Sequence, residues 1–190
     1  MALSFANKVT IGRILAVPVF TATVLYYVPA RDYLRYTALG IFLVAVISDV
    51  IDGYIARTHK QKTQAGAILD PLADKLLLIS AFICLYKIGD LLGNIKFPLW
   101  MVLTMISRDV ILLFGSMIIY LVHGQLKIVP TKWGKATTFM QVLCIIGILL
   151  QWTFSFFIWY AAVILTVISG LGYIRKGIKV LNDPSSQGSS

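Results

Sequence analysis

The sequence predicts an all-α polytopic membrane protein with six transmembrane helices. Three observations lead there. Of the 190 residues, 58% are apolar and only 13% charged, and mean hydropathy is +0.84; ordinary soluble domains carry about 25% charged residues. Apolar runs long enough, or nearly so, to cross a bilayer recur six times between short polar breaks. Trp and Tyr gather near the ends of these runs (Tyr26, Tyr27, Trp100, Trp133, Trp152 and Trp159), as interfacial aromatic belts do.

The elements follow in order. The first span covers residues 14–28, and residues 2–8 before it are a candidate interfacial helix. The second covers 36–56, the third 67–86 and the fourth 98–122. The fifth covers 136–152 and the sixth 154–174. The break between the fifth and sixth is so tight that the two should form an antiparallel hairpin. Pro18 and Pro71 fall inside spans, where proline frees a carbonyl and favours a kink. Residues 1–183 read as one membrane domain, and the polar tail 184–190 as disordered. No cleavable signal peptide and no internal repeat is apparent.

Orientation comes from lysine and arginine. Lys8, Arg13, Arg57, Lys60, Lys62, Lys127, Lys132, Lys135, Arg175, Lys176 and Lys179 fall on one side, and Arg31, Arg35, Lys87 and Lys96 on the other. The richer side is expected to be cytoplasmic, with both termini there. The net charge of +9 therefore reflects topology and affinity for anionic lipid or phosphate substrates, not nucleic acid. Cys84 and Cys144 lie in apolar runs and read as small buried hydrophobes, not a disulfide. Both histidines read as loop residues, which argues against a His-based metal site.

All eight acidic residues are Asp, and four of them form the most informative pattern. It reads Asp49-x-x-Asp52-Gly53-x-x-Ala56-Arg57, then eight residues, then Gly66-x-x-x-Asp70-x-x-x-Asp74. At mid-bilayer four Asp would cost on the order of 10 kcal/mol. Placing them at the cytoplasmic end of two spans reduces that cost. Asp49 and Asp52 share one helical face, as do Asp70 and Asp74. A short loop joins the two spans, so the pairs can converge. Four carboxylates in one pocket repel unless cations bind, and their hard oxygens suit Mg²⁺ or Mn²⁺. Two ions match four Asp better than one and fit phosphoryl chemistry. Gly53 and Gly66 leave room for a nucleotide diphosphate near the backbone, and Arg57 offers a planar fork to phosphate.

Taken singly, each residue has a bland reading: a packing glycine, a topogenic arginine, a relay Asp. Together, eight matched positions at background frequency arise by chance about once in 10¹⁰ start sites. This run resembles the signature of the CDP-alcohol phosphotransferase (CDP-alcohol phosphatidyltransferase) family. Asn7-x-x-Thr10-x-x-Arg13, followed by Pro18, is similar to that family's N-terminal element. Asp70-Pro71-Leu72-Ala73-Asp74-Lys75, Ser107-Arg108-Asp109 and Gly134-Lys135 resemble its phosphatidylglycerophosphate synthase and cardiolipin synthase branch.

The resemblance implies six transmembrane helices, a homodimer and a cytoplasm-facing site. It implies Asp49, Asp52, Asp70 and Asp74 as ligands of two Mg²⁺ or Mn²⁺ ions, with Asp74 also the general base on the acceptor hydroxyl. It implies Asn7, Thr10, Asp49, Gly53, Ala56, Arg57 and Gly66 as the CDP-lipid site, the donor being CDP-diacylglycerol. A phosphorylated acceptor needs a second basic group, for which Arg108, Lys132, Lys135 and Arg175 are the candidates. The first expectation is therefore phosphatidyl transfer to glycerol 3-phosphate with release of CMP. Transfer to phosphatidylglycerol, as in cardiolipin synthases, is the alternative, because that group's fourth-span element looks more like Arg108-Asp109. A cation transporter is the remote alternative, as it would need polar groups along a path through several spans.

Overall fold

The computed structural model describes residues 5–58, 64–92, 97–123 and 132–181. Within its helices, the side chains of residues 5–9, 52–58, 64–71, 116, 118–123, 132, 174 and 176–181 lie outside the description. Among the described residues there are six α-helices, one short 3₁₀ helix and no strand. The helices are α1 (Phe5–Leu25), α2 (Tyr33–Thr58), α3 (Gln64–Ile88), α4 (Leu99–His123), α5 (Lys132–Leu149) and α6 (Ser155–Leu181). The predicted order and number of elements are thus observed, and most bounds move outwards. Two helices, over Tyr33–Ile51 and Ser155–Tyr173, are long and apolar enough among the described residues to cross a membrane.

The outward shifts have one cause. Apolar runs mark where a helix meets lipid, whereas a helix continues through Lys, Arg and other good helix formers beyond it. Lys132 and Lys135 accordingly open α5 instead of preceding it, and Arg175 lies within α6 instead of after it. Of the candidate interfacial segment, residues 5–8 are the first turn of α1, which continues unbroken through Pro18, and residues 2–4 lie outside the described residues. α3 likewise runs on through Pro71.

The chain divides into two compact units. The first comprises residues 1–98 together with 145–155. Here α1 packs against both α2 and α3. Its core sets large side chains among small ones: Phe20, Phe42, Phe82 and Leu85 are buried, as are Ala38, Ala45, Ala73 and Ala81. Small residues let helix backbones approach closely, which matters where lipid is as apolar as the interface. Phe20 meets Phe42 with ring centroids 5.8 Å apart, and Phe82 stacks on Phe97 at 5.9 Å.

The connection between α1 and α2 carries an ordering cluster. Pro29 starts the 3₁₀ helix Pro29–Arg31, since its fixed φ suits the first position and its missing N–H is not needed there. Arg35 then donates from Nε and Nη2 to the two oxygens of Asp32, each at 2.7 Å, and from Nη1 to the Leu149 carbonyl at 3.0 Å. These hydrogen bonds hold the Asp32 carboxyl below its ordinary pKa, against a smaller opposing effect of desolvation. At the α5–α6 turn, Gln151 takes a left-handed φ of 53°, and a Cβ on Gly147 would lie 3.2 Å from that of Ser155. Gly147 thus allows the close approach there.

The second unit comprises residues 99–144 and 156–190. Thr137 Oγ1 donates to the Leu165 carbonyl at 3.1 Å, which ties α5 to α6 as the predicted hairpin requires. Trp100, Phe156 and Tyr160 form an aromatic group, with Phe156 edge-on to Tyr160 at 4.6 Å. Across both units many large apolar side chains face outwards, among them Leu15, Val19, Val44, Phe114 and Phe157, while Arg13, Arg108, Asp109 and Gln141 are buried. So many exposed large apolar side chains are unlike the surface of a water-soluble protein.

Candidate active site

The Asp pattern lies in the first unit, at the end of α2 and the beginning of α3. Asp49 sits nine residues before the last residue of α2, and Asp74 ten residues after the first of α3. What joins them is Arg13 of α1. Its Nη2 pairs with Asp49 Oδ1 at 2.8 Å, and its Nη1 donates to Asp74 Oδ1 at 2.6 Å. The first and last carboxylates of the signature therefore stand no further apart than one guanidinium spans. Thr10, one turn earlier on the same face of α1, is buried as well.

Burial is divided unequally in this bridge. The Arg13 side chain is 3% exposed, whereas those of Asp49 and Asp74 are 39% and 34% exposed. The guanidinium is covered, and the carboxylates keep a face to the outside. Water screens each pair, so each contributes roughly 1–2 kcal/mol, not the 3–5 kcal/mol lost on breaking a fully buried pair. Arg13 Nε is buried without a hydrogen-bond partner among the described residues.

The other predicted residues lie along the same three helices. Asp52, Gly53, Ala56 and Arg57 follow Asp49 in the last turns of α2. Gly66 and Asp70 precede Asp74 in the first turns of α3, and Asn7 precedes Thr10 in α1. Helical rise puts Asp52 about 4.5 Å along the axis from Asp49, and Asp70 about 6 Å from Asp74. The side chains of Asn7, Asp52, Gly53, Ala56, Arg57, Gly66 and Asp70 lie outside the described residues. Among the described residues no three His, Cys, Asp or Glu side chains come together. The two described carboxylates nevertheless fit a divalent metal: they are hard oxygen donors, brought close from two helices, each with exposed surface.

The second unit holds a different polar cluster. Arg108 and Asp109 are adjacent on α4, a spacing at which helical side chains usually diverge. Here Arg108 Nη1 donates to Asp109 Oδ1 at 2.7 Å, and Nη2 donates to Ser169 Oγ of α6 at 2.9 Å. Gln141 Nε2 of α5 donates to Asp109 Oδ2 at 3.2 Å. All four residues are buried, and the Arg108 guanidinium lies 6.0 Å from the Tyr173 ring. Arg108 Nε and Gln141 Oε1 are buried without partners among the described residues. Lys135 and Arg175 are exposed, and the Lys132 side chain lies outside the described residues.

Sequence reasoning missed Arg13, Gln141 and Ser169 as site or network residues. Arg13 was accounted for by topology and by the N-terminal element; only its position one turn beyond Thr10, facing a surplus of Asp, could have singled it out. Gln141 and Ser169 carry a weaker signal, as amide and hydroxyl groups within apolar runs.

Comparisons with known proteins agree with the pattern. A family model described as CDP-alcohol phosphatidyltransferase matches residues 3–168. A Mycobacterium tuberculosis protein named "Probable phosphatidylglycerophosphate synthase" is 32% identical over 182 residues, covering 93% of this chain and 82% of that one. A Haemophilus influenzae protein named "CDP-diacylglycerol--glycerol-3-phosphate 3-phosphatidyltransferase" is 32% identical over 175 residues, 90% of this chain and 88% of its own. A Bacillus subtilis protein of the same name is 30% identical over 195 residues, covering 92% and 95%. The match takes in α1 to α5 and the first half of α6, including every residue of the Arg13-bridged signature, and the chain belongs to the CDP-alcohol phosphatidyltransferase family.

Proposed function

We propose that this protein transfers a phosphatidyl group from CDP-diacylglycerol to the hydroxyl of glycerol 3-phosphate, releasing CMP. The observation that carries the proposal is similarity over about nine tenths of the chain to relatives named for that reaction. The pairing of Asp49 with Asp74 through Arg13 supports it from the side of the site.

In this reading Asp49, Asp52, Asp70 and Asp74 hold two Mg²⁺ or Mn²⁺ ions. A bound divalent ion supplies charge neutralisation at the diphosphate and so makes CMP a better leaving group. Asn7, Thr10, Gly53, Ala56, Arg57 and Gly66 position the CDP moiety, Arg57 by its planar fork and the glycines by leaving space. Asp74 takes the proton from the acceptor hydroxyl, whose oxygen then attacks the phosphorus bearing the lipid. Lys132, Lys135 and Arg175 are proposed to hold the acceptor phosphate, and Arg108 joins them only by giving up its bonds to Asp109 and Ser169.

The setting proposed is one membrane domain over residues 1–183 with six spans, working as a homodimer. Both termini and the active site face the cytoplasm of a bacterial cell. The outward-facing apolar side chains and the two long apolar helices support a membrane location. The test is direct: purified protein receives CDP-diacylglycerol and Mg²⁺, with glycerol 3-phosphate or phosphatidylglycerol offered separately. Phosphatidylglycerophosphate from the first is expected. Cardiolipin from the second, with nothing from the first, would replace this acceptor.

A further inference from the structure

We propose that Arg13 is a fixed counter-cation built into the carboxylate site: it holds Asp49 and Asp74 together and limits how tightly the site binds a divalent metal alone. The inference rests on the metal reading given above and adds a residue acting on that site from α1.

Its placement excludes a merely topogenic role. A topogenic arginine near the end of a span extends its head towards water. Arg13 is instead 3% exposed, more deeply covered than the carboxylates it serves. Its two Nη groups go to carboxylates on two different helices, α2 and α3, not to the two oxygens of one. The fork of a guanidinium can span two acceptors in this way, whereas a lysine ammonium acts as a point charge. Nε remains buried and, among the described residues, without a partner. Such an orphaned donor is unfavourable, so the side chain gives up one hydrogen bond to keep both carboxylates.

The electrostatic consequence follows. Two carboxylates within the span of one guanidinium repel, and Arg13 offsets that repulsion from the covered side. A divalent ion approaching the exposed side meets a positive charge that cannot leave. Metal alone is therefore bound weakly, and the negative diphosphate of the donor supplies the remaining attraction. Metal and donor then strengthen each other's binding, by the same factor in each direction.

The experiment uses purified full-length protein in detergent, with Mn²⁺ as the metal probe. Wild type, Arg13→Gln, Arg13→Lys and the triple variant Arg13→Gln/Asp49→Asn/Asp74→Asn are melted in EDTA, and the first three are titrated with Mn²⁺ by calorimetry. Arg13→Gln is expected to melt about 5 °C lower in EDTA and to bind Mn²⁺ about tenfold more tightly. Arg13→Lys keeps the charge, so it should bind Mn²⁺ like wild type while recovering only part of the melting temperature. The triple variant should melt close to wild type, because the lost stability comes from uncompensated carboxylates. Arg13→Gln with wild-type melting, or with unchanged or weaker Mn²⁺ binding, overturns the proposal. Wild type that binds no Mn²⁺ removes the metal reading itself, and the melts in EDTA then decide the bridge alone.

Discussion

Replacing Asp109 with leucine should destabilise the protein strongly, and the structure sets the scale. Arg108 and Asp109 are 5% and 2% exposed in their side chains and 2.7 Å apart. Asp109→Leu keeps a similar volume but strands a buried guanidinium, leaving Ser169 as its one polar partner from the cluster. Breaking a buried pair this way costs about 3–5 kcal/mol. Gln141 loses an acceptor too, worth about 0.6–1.7 kcal/mol for a polar contact between membrane helices. The retained Ser169 bond keeps the total near the lower end, about 3 kcal/mol. For a chain of this length that is a fall of about 6–12 °C in melting temperature. Differential scanning fluorimetry in detergent reads it directly. The double variant Arg108→Met/Asp109→Leu removes both charges and should recover most of the loss, because an apolar replacement of a buried pair is often neutral or better. The reasoning fails if Asp109→Leu melts with wild type, or if the double variant melts no higher than the single one.

Three further outcomes are expected. Asp74→Asn should lower phosphatidyl transfer by about a hundredfold or more while CDP-diacylglycerol binding stays measurable; near-normal turnover would remove Asp74 as the base. Lys135→Ala should raise KM for glycerol 3-phosphate about tenfold and leave KM for CDP-diacylglycerol in place, and equal changes in both would take Lys135 out of the acceptor site. Asp32, held below its ordinary value of 3.8 by Arg35, stabilises the folded form fully above that value, and the benefit is lost as pH falls through the still lower folded-state pKa. The melting gap between wild type and Asp32→Asn should thus stay constant from about pH 7 to pH 5 and close below about pH 4; a gap that widens on acidification would reverse the assignment.

What could be read from the sequence was whatever depends on neighbours along the chain. Six helices follow from six apolar runs, and the pairing of Asp49 with Asp52 and of Asp70 with Asp74 follows from helical spacing. The tight turn between α5 and α6 announced the hairpin that Thr137 and Leu165 tie together. What escaped depends on partners far apart in sequence. Arg13 and Asp74 are separated by 61 positions, as are Arg108 and Ser169. Nothing local tells an arginine that bridges two helices from one that marks the cytoplasmic side, because both stand near the end of an apolar run. The 3₁₀ turn at Pro29 was passed over for another reason: three residues leave no periodicity to detect.

The span of the Arg13 bridge also bears on how the molecule is made. Ribosomal synthesis delivers α1 first, then α2, then α3. Arg13 emerges before either of its partners exists; Asp49 follows 36 positions later (49 − 13) and Asp74 after 61. A buried arginine is costly until it is paired, so α1 gains its full set of partners only once α3 has arrived. The last carboxylate of the signature is then the group that completes the first three-helix unit. Assembly of that unit and completion of its chemistry become a single event, and a chain stalled before α3 carries neither a finished bundle nor a partly working site.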